Sequence, residues 1–418
     1  MQENKGGAIF IMAEKKKIGL VPRLLAGIVV GLLLGMVVPE FVIRVLATAG
    51  SIFGSYLSYL IPLMIVSFVA SGIGHLTSGG AGKILLVTVV MAYCSTIVAG
   101  SFAYMVDSAI FPSFITPEII ENFKETSGVA VEPYLEFVLN PVFDVTTAIV
   151  LAFILGIGII ALRNGEEHCE VADLLLKIVD GIQAIINLAL SKTILPVLPF
   201  YIGITFAKMS YTGEVWSVLK VFWKVFVIIL ILHLLYLTVA FCIAGGVSKK
   251  SPIRLMKNQI PGYMTAVGTQ SSAITIPVNV KCAEANGVSK SIREFVVPLC
   301  ATIHLAGSTI TITSCATGVL MMSNMPHNLA LMFPFILTLG VVMIAAPGAP
   351  GGAIMSALSF LPMIGIPVEG ALASLMIALY LTQDSFGTAC NVSGDNAIAV
   401  IIDTFKDKIA GTKSKKAA

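Results

Sequence analysis

Charged side chains are scarce in this sequence, and their scarcity excludes a water-soluble globule. Asp, Glu, Lys and Arg together make up 12% of the 418 residues, whereas hydrophobic residues make up 57%. A soluble domain usually carries about 25% charged residues, so this chain has too little polar surface to cover itself in water. A lipid-facing exterior removes that requirement. At roughly 20 apolar residues per span, the length predicts several membrane spans.

Cysteine pairs, enzyme motifs and basic patches are missing as well. The seven cysteines form no CxxC pair, which favours reduced thiols over a disulfide framework or a metal site. No HExxH, GxSxG or metal-ligand cluster occurs, so no enzyme activity is predicted. Lysine and arginine stand at the ends of apolar segments and in the tails rather than in one patch, which argues against nucleic-acid binding.

Ten apolar stretches divide the chain. Six resemble ordinary spans: 18–39, 46–75, 84–106, 143–162, 174–208 and 217–247. Four are richer in Gly, Pro, Ser and Thr: 253–280, 294–322, 329–362 and 370–402. No cleavable signal peptide is expected, because the first apolar run is long enough to remain as a span.

Basic residues predict the orientation of these stretches. The lysines at 15–17 and the basic tail at 406–418 place both termini in the cytoplasm, whereas the acidic loop 107–142 is expected outside. These assignments agree only if 253–280 and 329–362 enter and leave the membrane on the same side. We therefore predict an all-α polytopic protein of the cell (inner) membrane, with eight transmembrane helices and two re-entrant hairpins. Paired broken segments of this kind point to a transporter's binding site.

The two predicted hairpins carry residues that interrupt a helix. Ser271 and Ser272 stand at the centre of the first, where freed backbone groups could face a ligand; hydroxyls bonded to the preceding turn are the alternative. The second contains Pro347-Gly348 and Pro350-Gly351, which no continuous helix accommodates. It predicts a re-entrant gate, and an ordinary extracellular loop is the alternative.

The stretch 294–322 also predicts a broken helix. Ala306-Gly307-Ser308 favours an unwound turn whose carbonyls could bind a hard cation. His304 lies in the middle of this span, where a titratable group is a functional candidate. The alternative is a neutral histidine bonded to a backbone carbonyl.

The last span carries the most informative pattern. Asp384, Thr388, Asn391 and Asp395 recur at i, i+4, i+7 and i+11, which places them on one face of a helix together with Gly387. A carboxylate in mid-membrane costs at least ~3 kcal/mol. Since no lysine or arginine lies within the span, we expect a cation from outside the chain: Na⁺, H⁺ or an ammonium group. Buried structural hydrogen bonds are the alternative.

In this order, these motifs resemble the core of the glutamate-transporter (dicarboxylate/amino acid:cation symporter) family. The residues that carry the resemblance are Ser271-Ser272, 275–278, 298–303, Pro350-Gly351, Asp384, Thr388, Asn391 and Gly394-Asp395. It covers about 250–400, and the span layout fits throughout.

The resemblance implies a homotrimer that works as an elevator. The scaffold would comprise 18–75 and 143–208, and the moving transport domain 84–106 and 217–405. Within the latter, hairpin 1 would be 253–288, helix 7 294–322, hairpin 2 329–362 and helix 8 370–405. The tails would be 1–17 and 406–418.

The resemblance also implies the binding residues. Asp384 would bind the α-ammonium group of an amino acid and Asn391 its α-carboxylate. The pocket would also contain Ser271, Ser272, Gly387, Thr388, Ala349 and Gly351. One Na⁺ site would join Asp395 to carbonyls near Cys300, His304 and Asn391. A second would use carbonyls of Thr302, Met343, Ile344 and Ala346.

Departures from the family pattern suggest the substrate. Members that carry acidic substrates have an arginine where this chain has Gly387 or Gln270. A second substrate carboxylate would then be buried without a partner, at a cost of several kcal/mol. A small or medium neutral amino acid is therefore expected. Ala306, the run 309–313 and Gln383 resemble the bacterial serine/threonine branch of the family.

A third Na⁺ site of the family is incomplete here. His304-Leu305-Ala306-Gly307-Ser308 replaces Asn-Met-Asp-Gly-Thr, although Ser95 and Thr96 remain. We predict that this site does not bind Na⁺, and hypothesise that protonated His304 takes its electrostatic role.

The main prediction is Na⁺-coupled symport of a small neutral amino acid such as serine or threonine, in a lipid bilayer and without an organic cofactor. Alternatives are a proton-coupled symporter or exchanger with His304 as the titratable group, and a carrier of a different solute. An ion channel is the alternative of a different class, but a channel needs a continuous pore lined by repeated ligands.

Overall fold

The computed structural model describes residues 20–74, 82–127, 131–142, 145–163, 169–343, 346 and 351–410, and within these ranges it is helical without any strand. The first helices are α1 (Leu20–Val37), α2 (Glu40–Gly74), α3 (Gly82–Ile110), α4 (Pro117–Ser127), α5 (Val145–Arg163), α6 (Cys169–Ala189), α7 (Leu195–Thr212) and α8 (Glu214–Ser248). The others are α9 (Pro252–Thr269), α10 (Ser272–Ala285), α11 (Lys290–Ile303), α12 (Ala306–Met322), α13 (Leu329–Val342), α14 (Gly352–Leu358) and α15 (Ala371–Ala410).

The helices are apolar enough for a bilayer. Within the described ranges, three stretches have the length and hydropathy of a membrane span: Lys83–Ser113, Val218–Ser248 and Lys290–Met322. Shorter apolar helices are Leu25–Val37, Val150–Arg163 and Leu329–Val342. Large side chains such as Leu33, Val98, Phe200 and Trp223 are more than half exposed, which suits a surface that faces lipid. The chain is a multi-pass membrane protein.

Five helices of the first half, α1, α2, α5, α6 and α7, pack into one group. Helix α1 lies against α7, and α2 lies against α5 and α6. Glycines at 27, 31 and 35 form a ridge on α1, and a Cβ added at Gly31 would lie 2.1 Å from the carbonyl oxygen of Gly203 on α7. Only glycine therefore permits this approach of two backbones, as in other small-xxx-small contacts within membranes.

The long helix α15 organises the second group. It packs against α3, α8, α9, α10, α11 and α12. Every residue of α12 is buried. The polar stripe of α15 therefore faces other helices of the protein, among them the buried helix α12, and does not face lipid.

The sequence-predicted breaks are present, and one is displaced. The first hairpin breaks at Gln270, which has φ +53°, and at Ser271, which is extended, as the sequence indicated. The break in 294–322 is at His304 and Leu305, not at 306–308: those residues form the first turn of α12. The second hairpin has α13 and α14 as its arms, and most of its tip lies outside the described residues.

Two other expectations were wrong. The acidic loop 107–142 does not begin at Asp107, because α3 continues to Ile110 and Asp107 is completely buried. The helix continues because Ala103, Tyr104 and Phe111, which share a face with Asp107, bury apolar surface there. The apolar stretch 174–208 is not one regular helix either, since a π-helical turn, Leu190–Ile194, separates α6 from α7 just before Pro196, which has no N–H to donate.

Candidate substrate and cation site

The polar stripe of α15 is buried as one face. Asp384, Thr388, Asn391 and Asp395 are each at most 5% exposed. Gly307 of α12 allows the two helices to approach, because a Cβ added there would lie 2.5 Å from the Gly387 carbonyl oxygen of α15. The helical spacing in the sequence therefore identified four side chains that the structure brings together between α12 and α15.

Asp384 is hydrogen-bonded to the second hairpin. Its Oδ2 accepts a hydrogen bond of 2.7 Å from the backbone N–H of Gly351, which precedes α14. Its Oδ1 accepts one of 3.0 Å from the Tyr380 hydroxyl, and the Thr388 hydroxyl lies 3.5 Å from the same oxygen. The carboxylate thus joins the main helix of the site to one arm of the predicted gate.

Asn391 caps α12 from a different helix. Its Oδ1 accepts hydrogen bonds from the backbone N–H groups of Gly307 (2.7 Å) and Ser308 (3.1 Å). Its Nδ2 donates to Ser308 Oγ at 2.9 Å. The first N–H groups of a helix have no partner within the helix, so this amide supplies one. The N-terminal end of α12, with its positive dipole, points at the position predicted to bind a carboxylate.

A chain of hydrogen bonds joins the two predicted substrate residues. The Tyr380 hydroxyl lies 3.0 Å from Ser308 Oγ and donates to Asp384. Ser308 accepts from Asn391, so an unbroken polar path runs from the amide to the carboxylate. Tyr380 was not predicted from the sequence, although it lies four residues before Asp384 on the same helix face.

The tip of the first hairpin is tied to α15. Ser271 Oγ accepts from the Ile274 N–H at 3.3 Å and so caps α10. Gln270 Nε2 donates to Ser385 Oγ at 3.0 Å. Ser271 and Ser272 are both buried. The serines therefore lie in the protein interior beside α15, at a helix start rather than in a continuous helix.

His304 and Asp395 form a completely buried pair. His304 Nδ1 lies 2.9 Å from Asp395 Oδ1, and both side chains have 0% exposure. His304 Nε2 lies 3.1 Å from the Tyr236 hydroxyl and 3.3 Å from Ser95 Oγ. The ring thus contacts side chains, and the alternative of a histidine bonded to a backbone carbonyl is wrong for the contacts that the structure describes.

One oxygen of this pair suits a cation. Asp395 Oδ2 is buried and accepts no hydrogen bond from any described residue. Within the described ranges, no three His, Cys, Asp or Glu side chains meet as metal ligands, so a Na⁺ ion here would need backbone carbonyls beside Asp395. The Cys300 carbonyl already accepts the His304 N–H at 2.9 Å, and a carbonyl oxygen has a second lone pair. A carboxylate oxygen and a carbonyl lone pair are donors of the type that hard cations prefer, so these two groups are compatible with the predicted cation site.

The second predicted Na⁺ site is only partly described. Met343 and Ala346 are buried, whereas the Thr302 side chain is exposed and its hydroxyl donates to the Leu299 carbonyl. Ile344 and the predicted pocket residue Ala349 lie outside the described residues. This site stays a prediction.

Two polar groups beside the site were not anticipated from the sequence. On α8, His233 Nε2 lies 3.0 Å from the Gly307 carbonyl oxygen and 3.1 Å from Thr311 Oγ1. Gln259, Asn279 and Asn396 form a buried amide cluster that joins α9, α10 and α15, with Asn396 Nδ2 2.8 Å from Asn279 Oδ1. Polar side chains inside apolar stretches were the available signal.

Comparison with known proteins gives a consistent set of similarities. The sequence model of the sodium:dicarboxylate symporter family matches residues 20–405. The chain is 26% identical over 391 residues to the serine/threonine transporter SstT of Streptococcus agalactiae, covering 91% of this chain and 94% of that protein. It is 25% identical over 400 residues to SstT of Acinetobacter baumannii, covering 93% and 97%. The neutral amino acid transporter B(0) of Rattus norvegicus is 28% identical over 162 residues, 38% of this chain and 29% of that protein.

Proposed function

Because the chain belongs to the sodium:dicarboxylate symporter family, we propose that it carries a small neutral amino acid, such as serine or threonine, into the cell together with Na⁺. Membership makes it a transporter rather than an enzyme. The observation that carries the proposal is the buried path Asp384–Tyr380–Ser308–Asn391. It supports the proposal because a carboxylate can bind the ammonium group of an amino acid, and an amide N–H can donate to its carboxylate.

The charge of the pocket supports a neutral substrate. Gly387 offers no side chain, and Gln270 at the other position donates to Ser385. Within the described residues, no lysine or arginine makes a hydrogen bond or an ion pair with the polar stripe of α15. A side-chain carboxylate would be buried without a partner, which is strongly unfavourable. The relatives, serine/threonine and neutral amino acid transporters, agree with this choice.

The family and the chemistry of Asp395 support Na⁺ as the coupling ion. Its free Oδ2 offers a full negative charge in a dry environment, which a small monovalent cation neutralises. A bound Na⁺ ion would supply the positive charge that neutralises the Asp395 carboxylate. Our second candidate is proton coupling through His304, because its ring is paired with the same carboxylate.

The packing supports an elevator mechanism. One group contains α1, α2, α5, α6 and α7, and another is built on α15 with α3 and α8–α12. The first would be the scaffold and the second the moving transport domain. Homotrimer assembly, the inner membrane and cytoplasmic termini belong to the same proposal, which follows the family resemblance.

The test is uptake of radiolabelled L-serine, L-threonine, L-alanine and L-aspartate into proteoliposomes, with and without an inward Na⁺ gradient. We expect Na⁺-driven uptake of one or more neutral amino acids while aspartate remains outside. Robust aspartate uptake would show that another group replaces the missing arginine. Uptake of the neutral substrate that responds only to a proton gradient would favour the second candidate.

A further inference from the structure

A second buried carboxylate lies away from the site described above. Asp107 belongs to the last turn of α3, and its exposed fraction is 0%. Neither of its carboxylate oxygens has a hydrogen-bond partner among the described residues. Asp384 and Asp395, by contrast, each accept at least one hydrogen bond. Among the buried acidic side chains that the structure describes, Asp107 is therefore the one whose negative charge is least compensated by neighbouring groups.

The surroundings of Asp107 are apolar with a few hydroxyl groups. The Ser314 hydroxyl faces it from α12, near enough to interact with the carboxylate but outside hydrogen-bonding geometry, so that Ser314 Oγ is also buried without a partner among the described residues. Beside Ser314, the thiol of Cys315 is the titratable group of α12, and Gln383 of α15 lies 3.8 Å from that thiol. Helix α13, which also packs on α3, carries no titratable residue.

No described cation neutralises this carboxylate. On α8, the Lys224 ammonium group lies 5.2 Å from the centre of the Phe114 ring, and neither Asp107 oxygen has a hydrogen-bond partner among the described residues. The buried titratable groups of the neighbouring helices have other partners: Asp384 contacts Gly351 and Tyr380, His304 contacts Asp395, and His233 contacts Gly307 and Thr311. An ionised carboxylate cannot remain isolated in a low-dielectric interior, and such groups become neutral instead.

We propose that Asp107 and Ser314 form a proton-binding site between α3 and α12, separate from the candidate substrate site. The proton makes the Asp107 carboxyl neutral and lets its hydroxyl donate a hydrogen bond to Ser314 Oγ, which pairs two of the three unpartnered oxygens. A hard metal ion fits less well, since such ions require about six oxygen ligands. This inference goes beyond the proposed function and does not depend on which amino acid is carried.

The proton has a short route to water. A surface cavity of about 530 Å³ is lined by Tyr104, Ser108, Met321 and the turn 324–328. Ser108 is the next residue after Asp107, and its hydroxyl is buried without a partner among the described residues. The site can therefore exchange its proton from this end of α3 without a path through the substrate site.

Infrared spectroscopy of the full chain in liposomes tests the proposal directly. We expect a carbonyl stretching band of a protonated carboxylic acid at neutral pH, and expect Asp107→Asn to remove it. The matched control is Asp403→Asn, because Asp403 is paired with Ser289 and Lys406; this variant should leave the band in place. Identical carboxyl bands in the wild type and in Asp107→Asn would overturn the proposal.

Three further measurements extend the test. If Asp107→Asn does not fold, Ser314→Ala is used, and we expect the band to remain but shift in frequency, because its hydrogen-bond partner is lost. An unshifted band would overturn the role of Ser314. Saturating Na⁺ should leave the wild-type band unchanged, and its disappearance would show a metal site instead. Above the pH at which the band is lost, we expect substrate uptake to fall at least tenfold in the wild type but not in Asp107→Asn; parallel pH profiles would contradict this.

Discussion

The carboxylate of Asp384 accepts a 2.7 Å hydrogen bond from the backbone N–H of Gly351, so a side chain of α15 fixes the start of α14. The same carboxylate is the proposed partner of the substrate ammonium group. Substrate binding and closure of the second hairpin therefore use the same pair of carboxylate oxygens. The affinity of the site for substrate is thus coupled to the position of the hairpin.

Removal of this charge should abolish transport. For Asp384→Asn we expect at least a 100-fold loss of Na⁺-driven uptake, because about 3 kcal/mol of charge-assisted hydrogen bonding to the ammonium group and to Gly351 is lost. Initial rates in proteoliposomes measure it. Asp403→Asn, at the far end of the same helix, is the control and should transport normally. Retained uptake in Asp384→Asn would remove this residue from the substrate site.

A methyl group at Gly351 should impair closure of the hairpin. The residue has φ +76°, a left-handed conformation that costs about 1–2 kcal/mol for a residue with a Cβ. We expect Gly351→Ala to weaken apparent substrate affinity by about 5- to 30-fold, since the closed position becomes strained. Substrate titration of uptake checks this. Gly268→Ala is the control, because a Cβ there has no neighbour within 4 Å and should leave the affinity unchanged.

An arginine in place of Gly387 should change the substrate. A Cβ added there lies 3.5 Å from Thr311 Oγ1, in ordinary contact, so the start of a side chain fits. We expect Gly387→Arg to gain Na⁺-driven aspartate uptake and to lose most serine or threonine uptake, because the guanidinium would partner a second carboxylate. Gly387→Ala serves as the control that changes volume without charge. Inert aspartate in a well-folded Gly387→Arg protein would contradict the proposed pocket.

The His304–Asp395 pair should make transport depend on pH. His304 Nδ1 lies 2.9 Å from Asp395 Oδ1 in a completely buried pair, so a change in the charge of either partner changes the net charge of this part of the site. We expect His304→Gln to remove one step from the pH profile of uptake. An unchanged profile would show that His304 does not act as the titratable group.

The contact of α1 with α7 should be intolerant of any side chain. A Cβ at Gly31 would lie 2.1 Å from a backbone oxygen, which cannot move aside as a side chain can. We expect Gly31→Ala to lower stability by about 1–3 kcal/mol through overpacking, visible as a lower midpoint of thermal unfolding in detergent. Gly181→Ala, where a Cβ has no neighbour within 4 Å, should unfold like the wild type.

Local patterns were sufficient to find the centre of the site. The spacing of Asp384, Thr388, Asn391 and Asp395 fixes one helix face, and the structure buries that face whole. Ser271 and Ser272 marked a break because hydroxyls cap helices, and Ser271 caps α10. In both cases the cause lies within a few residues along the chain, so the sequence is enough to predict it.

Contacts between distant residues explain what the sequence missed. The break in 294–322 lies at His304 and Leu305 because Asn391, more than 80 residues further on, caps the N–H groups of Gly307 and Ser308. Asp107 was assigned to a loop because its charge suggested water, whereas the packing of α3 buries it. Tyr380 and His233 were not predicted because a single hydroxyl or imidazole group in an apolar run does not indicate a role until its partner in the fold is known.

The glycine ridge of α1 also has a consequence for how the protein is made. Gly31 leaves the ribosome about 170 residues before its partner Gly203. At a synthesis rate of about 5–20 residues per second, roughly 10–35 s pass between the synthesis of Gly31 and the synthesis of Gly203. During that interval the ridge of α1 faces lipid or another nascent helix. The contact between α1 and α7 therefore cannot form until about half of the chain has been made, when α2, α3, α5 and α6 have already been synthesised.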